Sequence, residues 1–166
     1  MKLLPFALAS LLFATPAFAQ KTSDKLPPAN PIAYEDQDAA AVLNTVNAAL
    51  ATLESSDTAT LRSLLQPEGG VAVAVELPDG SRRFKHLSWD EYIAKLAPDG
   101  HRYSEAISNP AVEIDGDIAM VWAAYRVTQD GKLMHCGYDH FDLVRVEGKW
   151  KILNITWSQR TQGCPA

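Results

Sequence analysis

The chain has 166 residues, 47% hydrophobic and 21% charged, with a net charge of −5: enough for one well-cored domain and too little for two of ordinary size. A mildly acidic balance excludes the basic surface that nucleic acid or an anionic membrane would require. It leaves a small-molecule ligand open.

Lys2 precedes an apolar run at residues 3–13 that is too short to span a bilayer, and "TPAFAQ" sets Ala17 and Ala19 before a cut after residue 19. A cleaved signal peptide is therefore expected at 1–19, with a periplasmic or secreted product of bacterial-type export and no membrane insertion after cleavage. Residues 20–34 carry three prolines and little apolar content, as a flexible lead-in does. The domain proper is expected over 35–166. Export also bears on the only two cysteines, Cys136 and Cys164: an oxidising compartment favours a disulfide over two free thiols, and geometry decides between them.

From Asp36 or Asp38 the chain reads as a helix, with Val42, Val46, Ala49, Leu50 and Leu53 recurring at three and four and Leu43 widening the stripe. A shorter helix follows, capped by Ser56 or Asp57, with Leu61, Leu64 and Leu65 on one face and "QPEGG" as its stop. "VAVAVEL", the turn "PDG" and "SRRFKHL" then read as a hairpin. "SWDE" is a capping-box pattern, so Ser88 opens a third helix with Trp89, Tyr92, Ile93 and Leu96 on one face before Pro98. The remainder is strand: "RYSEAIS" through Asn109-Pro110 to "AVEI", then three glycine turns separating "IAMVWAAYRVT", "LMHCGYDHFDLVRV" and "WKILNITWSQ". Helices gathered ahead of a large antiparallel sheet give an α+β class, with the helices on one sheet face and a cavity between.

"LLQPEG", "DGDIAMVWAAY", "DGK" and above all "HCGYDHFDLVRVEGKWKI" with its terminal strand resemble the nuclear-transport-factor-2-like (NTF2-like) superfamily, within it the exported SnoaL-like and lumazine-binding-like proteins. The resemblance covers roughly residues 36–164. It implies a cone-shaped α+β fold, three N-terminal helices against a strongly bent antiparallel sheet with an internal pocket, and frequently a homodimer packed through the sheet. It implies no single reaction, because the fold hosts isomerases, dehydratases, epoxide hydrolases, cyclases and pure binding domains. Ketosteroid isomerase in that superfamily uses a carboxylate base on a different strand and a tyrosine on the first helix; the first helix here has no tyrosine.

"LMHCGYDHFDLV" concentrates histidine, aspartate, cysteine and tyrosine. Strand parity splits them, with Cys136, Tyr138, His140, Asp142 and Val144 on one face and His135, Gly137, Asp139, Phe141 and Leu143 on the other. Cys136 and His140 then lie about 13 Å apart along the strand, too far for a thiolate–imidazole pair. No HExxH or CxxC spacing is present, so neither a metal nor a cofactor is expected.

A two-residue turn at Asp130-Gly131 would set Ala123 opposite Tyr138, Val121 opposite His140 and Ala119 opposite Asp142. A three-residue turn at "EGK" would place Phe141, Leu143, Leu153, Ile155 and Trp157 on an apolar face, and His140, Asp142, Asn154, Thr156 and Ser158 on the other, with Trp150 and Ile152 near one end. That mixed face has the make-up of a small-molecule pocket, although a solvated sheet face would carry the same residues. On the pocket reading the protein is an exported small-molecule-binding domain. Alternatively it is a cofactor-independent lyase or isomerase, in which His140 transfers the proton, Asp142 orients it and Tyr138 donates a hydrogen bond to a hydroxyl- or carbonyl-bearing substrate. A third reading is an interaction module associating as a homodimer through the Phe141 face; His135 and Asp139 on that face are assigned no chemistry.

Overall fold

The computed structural model describes residues 37–164. The expected signal peptide at 1–19 and lead-in at 20–34 lie outside the described residues.

Helix α1 (Gln37–Ser55) buries Ala39, Val42, Val46, Ala49 and Leu50, the stripe that its three-and-four spacing sets up. Val42 and Val46 are 0% exposed, each contributing about 1.5–3 kcal/mol of burial. Helix α2 (Thr58–Leu64) starts where Asp57 accepts from the backbone N–H of Thr60, and Leu61 anchors it. In α3 (Trp89–Ala94) Ser88 and Glu91 form the full capping box. Trp89 and Ile93 point inward.

The six strands are β1 (Leu65–Glu76), β2 (Arg82–Ser88), β3 (Tyr103–Asp115), β4 (Ile118–Gln129), β5 (Lys132–Val146) and β6 (Lys149–Gln159), in one curved, unclosed sheet ordered β2-β1-β6-β5-β4-β3. All neighbours run antiparallel except β1 and β6, a parallel pair where an all-antiparallel sheet was expected. The expected stop "QPEGG" lies inside β1. Gly69 makes this possible, because a Cβ there would stand 1.5 Å from the carbonyl oxygen of Leu153. The helices cover one face, closing a core around Val121, Phe141, Leu143, Trp150 and Ile152.

Two bulges reset the registers. Gln129 pairs with Lys132 across the two-residue turn as expected, but Met134 is an extra residue between the Val127–His135 and Thr128–Leu133 pairs. Beyond it Ala123 faces Asp139, Val121 faces Phe141 and Ala119 faces Leu143, each one residue away from the expected partner. At the other hairpin Val146 pairs with Lys149, so the turn is Glu147-Gly148 alone and not "EGK"; a bulge at Leu153 then restores the expected Phe141–Ile155 pair. Trp150 and Ile152 consequently join the core and do not share the face of His140.

Candidate functional site

A cavity of about 400 Å³ opens between the helices and the inner sheet face, at the small end of the range usual for ligand pockets. Its walls are apolar and aromatic: Leu50 and Leu53 from α1, Tyr92 from α3, and Tyr125, Phe141 and Trp157 from the sheet. Tyr92 meets Trp157 edge-on with ring centroids 6.2 Å apart. The exposed segment from Lys95 to His101 forms the rim.

Two carboxyl groups interrupt this lining. Glu105 on β3 and Asp139 on β5 reach within hydrogen-bonding distance of each other. Asp139 is only 3% exposed, and no donor among the described residues reaches its Oδ2. Burial raises the pKa of both carboxyls, and the charge of Glu105 raises that of Asp139 further. Two acids so placed hold a proton between them, since both cannot ionise cheaply in an apolar setting.

Tyr125 stands beside the pair. Its Oη donates to the carbonyl of Ser158 at 3.0 Å and lies 3.0 Å from Nδ1 of His135. The single phenolic hydrogen is used on a carbonyl that can only accept, so Nδ1 of His135 carries the hydrogen of the second contact. Nε2 is then the bare nitrogen. Burial lowers the pKa of His135, which favours this neutral form. Burial also raises the pKa of Tyr92 and Tyr125, keeping both hydroxyls as donors. Gly137, between His135 and Asp139, admits this arrangement: a Cβ there would lie 1.9 Å from the Ser158 carbonyl oxygen.

The residues expected at the site are distributed differently. Ala119, Val121 and Ala123 are buried on the inner face, packed in the sheet below the helices. Tyr138, His140 and Asp142 lie on the outer face, away from the cavity lining. There Trp122 stacks on Tyr138 at 5.4 Å and tilts against His140 at 6.0 Å, while His140 Nε2 is 3.6 Å from Asp142 Oδ1. Asn154 and Thr156 share that face opposite Asp142 and His140. Ser158 contributes its Oγ to the Tyr138 backbone and its carbonyl to Tyr125. Cys136 and Cys164 are joined in a disulfide, next to a bridge in which Cys136 and Arg160 exchange backbone hydrogen bonds. The C-terminal segment is thereby fixed to β5, as the export argument anticipated.

Parity therefore separated the two sets correctly, but the cavity lies with the set that received no chemistry. His135, Asp139 and Glu105 were missed. The available signal was an aspartate in phase with Phe141 and Leu143, on a face whose other members are apolar.

A family model described as "Putative lumazine-binding" matches residues 37–158. The chain belongs to this family. Its fold is NTF2-like, as several solved structures show. An "ntf2-like protein of unknown function" from Shewanella baltica aligns with a TM-score of 0.56 at 15% identity, over 76% of this chain and 96% of that one. A "Putative Scytalone Dehydratase" from Novosphingobium aromaticivorans gives 0.61 at 16% identity, over 75% and 85%. A "putative dehydratase from the NTF2-like family" of Streptomyces avermitilis gives 0.56 at 19% identity, over 76% and 98%. No curated protein matches the sequence.

Proposed function

We propose that the chain is an exported domain that binds a small, mainly apolar molecule in its internal cavity and holds one polar group of that ligand at Glu105 and Asp139. The observation that carries this reading is the buried carboxyl pair in an otherwise apolar and aromatic pocket: convergent polar groups in such a pocket orient a ligand. The family's lumazine-binding description points the same way and suggests planar heterocycles as probes. Export is supported by the apolar run at 3–13, by "TPAFAQ" and by the disulfide. Titrating the protein with lumazine and related heterocycles while following tryptophan fluorescence, to which the cavity residue Trp157 contributes, tests the binding reading. Saturable quenching that Asp139→Asn weakens supports it, and an unchanged signal in the variant removes Asp139 from the site.

A second reading, cofactor-independent lyase or isomerase chemistry, is favoured by the proton held between Glu105 and Asp139 in the same cavity as a neutral His135 with a bare Nε2. One group can give a proton while another takes one, which elimination of water or migration of a double bond requires. The dehydratase names of two structural neighbours support the class of reaction. His140 is outside the cavity and has no access to a ligand there. Turnover of hydroxy-ketone probes that disappears in Glu105→Gln but survives in His140→Ala is the expected result; equal loss in both variants would sink this assignment.

A further inference from the structure

The charge in the cavity has no counterpart among the described residues. Above about pH 7, the value to which burial raises Glu105, the pair Glu105 and Asp139 holds one proton and keeps one negative charge. Among the described residues no lysine, arginine or protonated histidine stabilises either carboxyl. Lys95 and His101 line the cavity at its exposed rim, and His101 is engaged with Asp130 at 2.7 Å. Arg160 acts on Tyr125 but is not part of the lining. His135 turns its Nδ1 to Tyr125 and is neutral, and Asp99 at the rim accepts from the His101 backbone and from Tyr103. A buried carboxylate without a cation is costly, and an apolar residue would fill either position at less expense.

The walls bear on what would balance that charge. Tyr92, Tyr125, Phe141 and Trp157 surround the pair, and aromatic faces attract cations and repel anions. A neutral hydroxyl would satisfy Asp139 Oδ2 and leave the charge in place. An ammonium supplies donors for Asp139 Oδ2 and for Glu105, and cancels the charge as well.

We propose, building on the ligand-pocket reading, that the ligand is an amine carrying an apolar ring, its ammonium seated between Glu105 and Asp139 and its ring against Tyr92, Phe141 and Trp157. Seating the ammonium displaces the proton held between the carboxyls to solvent, because a cation favours both carboxylates. Affinity therefore rises with pH through the neutral range, until the amine itself deprotonates.

The test is isothermal titration calorimetry on the whole protein with two matched probes, 2-(2-naphthyl)ethylamine and 2-(2-naphthyl)ethanol, in two buffers of different ionisation enthalpy. The amine is expected to bind at least about tenfold more tightly than the alcohol and to release a proton on binding. Glu105→Gln and Asp139→Asn are each expected to weaken the amine at least about tenfold, and a cooperative thermal unfolding transition in each variant shows that it is folded. Equal affinity for the two probes, or amine binding unaffected by both substitutions, overturns the amine assignment and leaves the pocket standing. Binding of neither probe overturns the assignment and the pocket reading together.

Discussion

Glu105 and Asp139 come from strands that are not hydrogen-bonded neighbours, yet their carboxyl groups meet across β4, beside Tyr125. Each carboxyl has a folded pKa raised above the ordinary range, so the folded state holds more protons than the unfolded one above about pH 4. Their contribution is fully present below that pH and is lost as pH rises through the folded values. The pKa of His135, depressed by burial, works in the opposite sense, adding stability as pH rises toward the ordinary histidine range. Asp139→Asn isolates the carboxyl effect: an amide cannot ionise and can still donate to Glu105. The variant is expected to gain stability relative to the parent as pH rises from 5 to 8, by about 1–3 kcal/mol at pH 8. Urea unfolding at both pH values reads this, and a pH-independent difference between the two proteins would refute it.

Gly137→Ala forces a methyl group toward the Ser158 carbonyl oxygen, where its Cβ would stand at 1.9 Å. Backbone cannot swing aside as a flexible side chain can. The substitution is expected to cost about 1–3 kcal/mol or more and to disturb the Tyr125 hydrogen bond to the same carbonyl. Thermal unfolding checks the first part. A melting temperature within a degree of the parent would show that β6 can yield there.

The same stretch shows what the sequence could and could not convey. Three-residue and four-residue spacing in α1, the "SWDE" box and the glycine turns gave the helices and strands because each is a local signal. Alternation likewise separated Tyr138 and His140 from Asp139 and Phe141. The facing of those sets was not local. It depended on single extra residues at Met134 and Leu153, and a bulge leaves alternation intact on either side of itself while shifting every partner by one. Glu105 was harder still: "RYSEAIS" shows nothing unusual until curvature brings β3 over the residues of β5.

The Tyr125 hydroxyl links Ser158 to His135, with both contacts at 3.0 Å. Tyr125→Phe leaves the Ser158 carbonyl without that donor and removes the group that fixes the imidazole tautomer. A loss of about 1–3 kcal/mol is expected. Nitrogen NMR of His135 should show Nδ1–H as the dominant tautomer in the parent and a mixture in the variant. A parent in which Nε2 carries the hydrogen would contradict the assignment of Nε2 as the available base.

The Cys136–Cys164 bond closes a segment with a sequence separation of 28 residues. Restricting a loop of that size in the unfolded chain stabilises the fold by roughly 3–4 kcal/mol on the chain-entropy account. Cys164→Ser should lower unfolding free energy by about that amount. Reductant should do the same to the parent and nothing further to the variant. An unfolding curve for the parent that ignores reductant would show that the bond contributes little or resists reduction, and the variant separates those outcomes.

His140→Ala provides the contrast for the cavity. The imidazole lies against Trp122 on the outer sheet face, 3.6 Å from Asp142 and not among the cavity walls. Removing it leaves the carboxyl pair, the Tyr125 network and the aromatic walls untouched, so ligand affinity should stay within about twofold of the parent, while Asp139→Asn moves it by tenfold or more. The Phe141 face, through which association of two copies was expected, is instead taken up by the core, since Phe141 and Leu143 are each 1% exposed and pack in the same cluster as Val42, Val46 and Leu50 of α1. A His140→Ala protein that no longer binds ligand would return the site to the outer face.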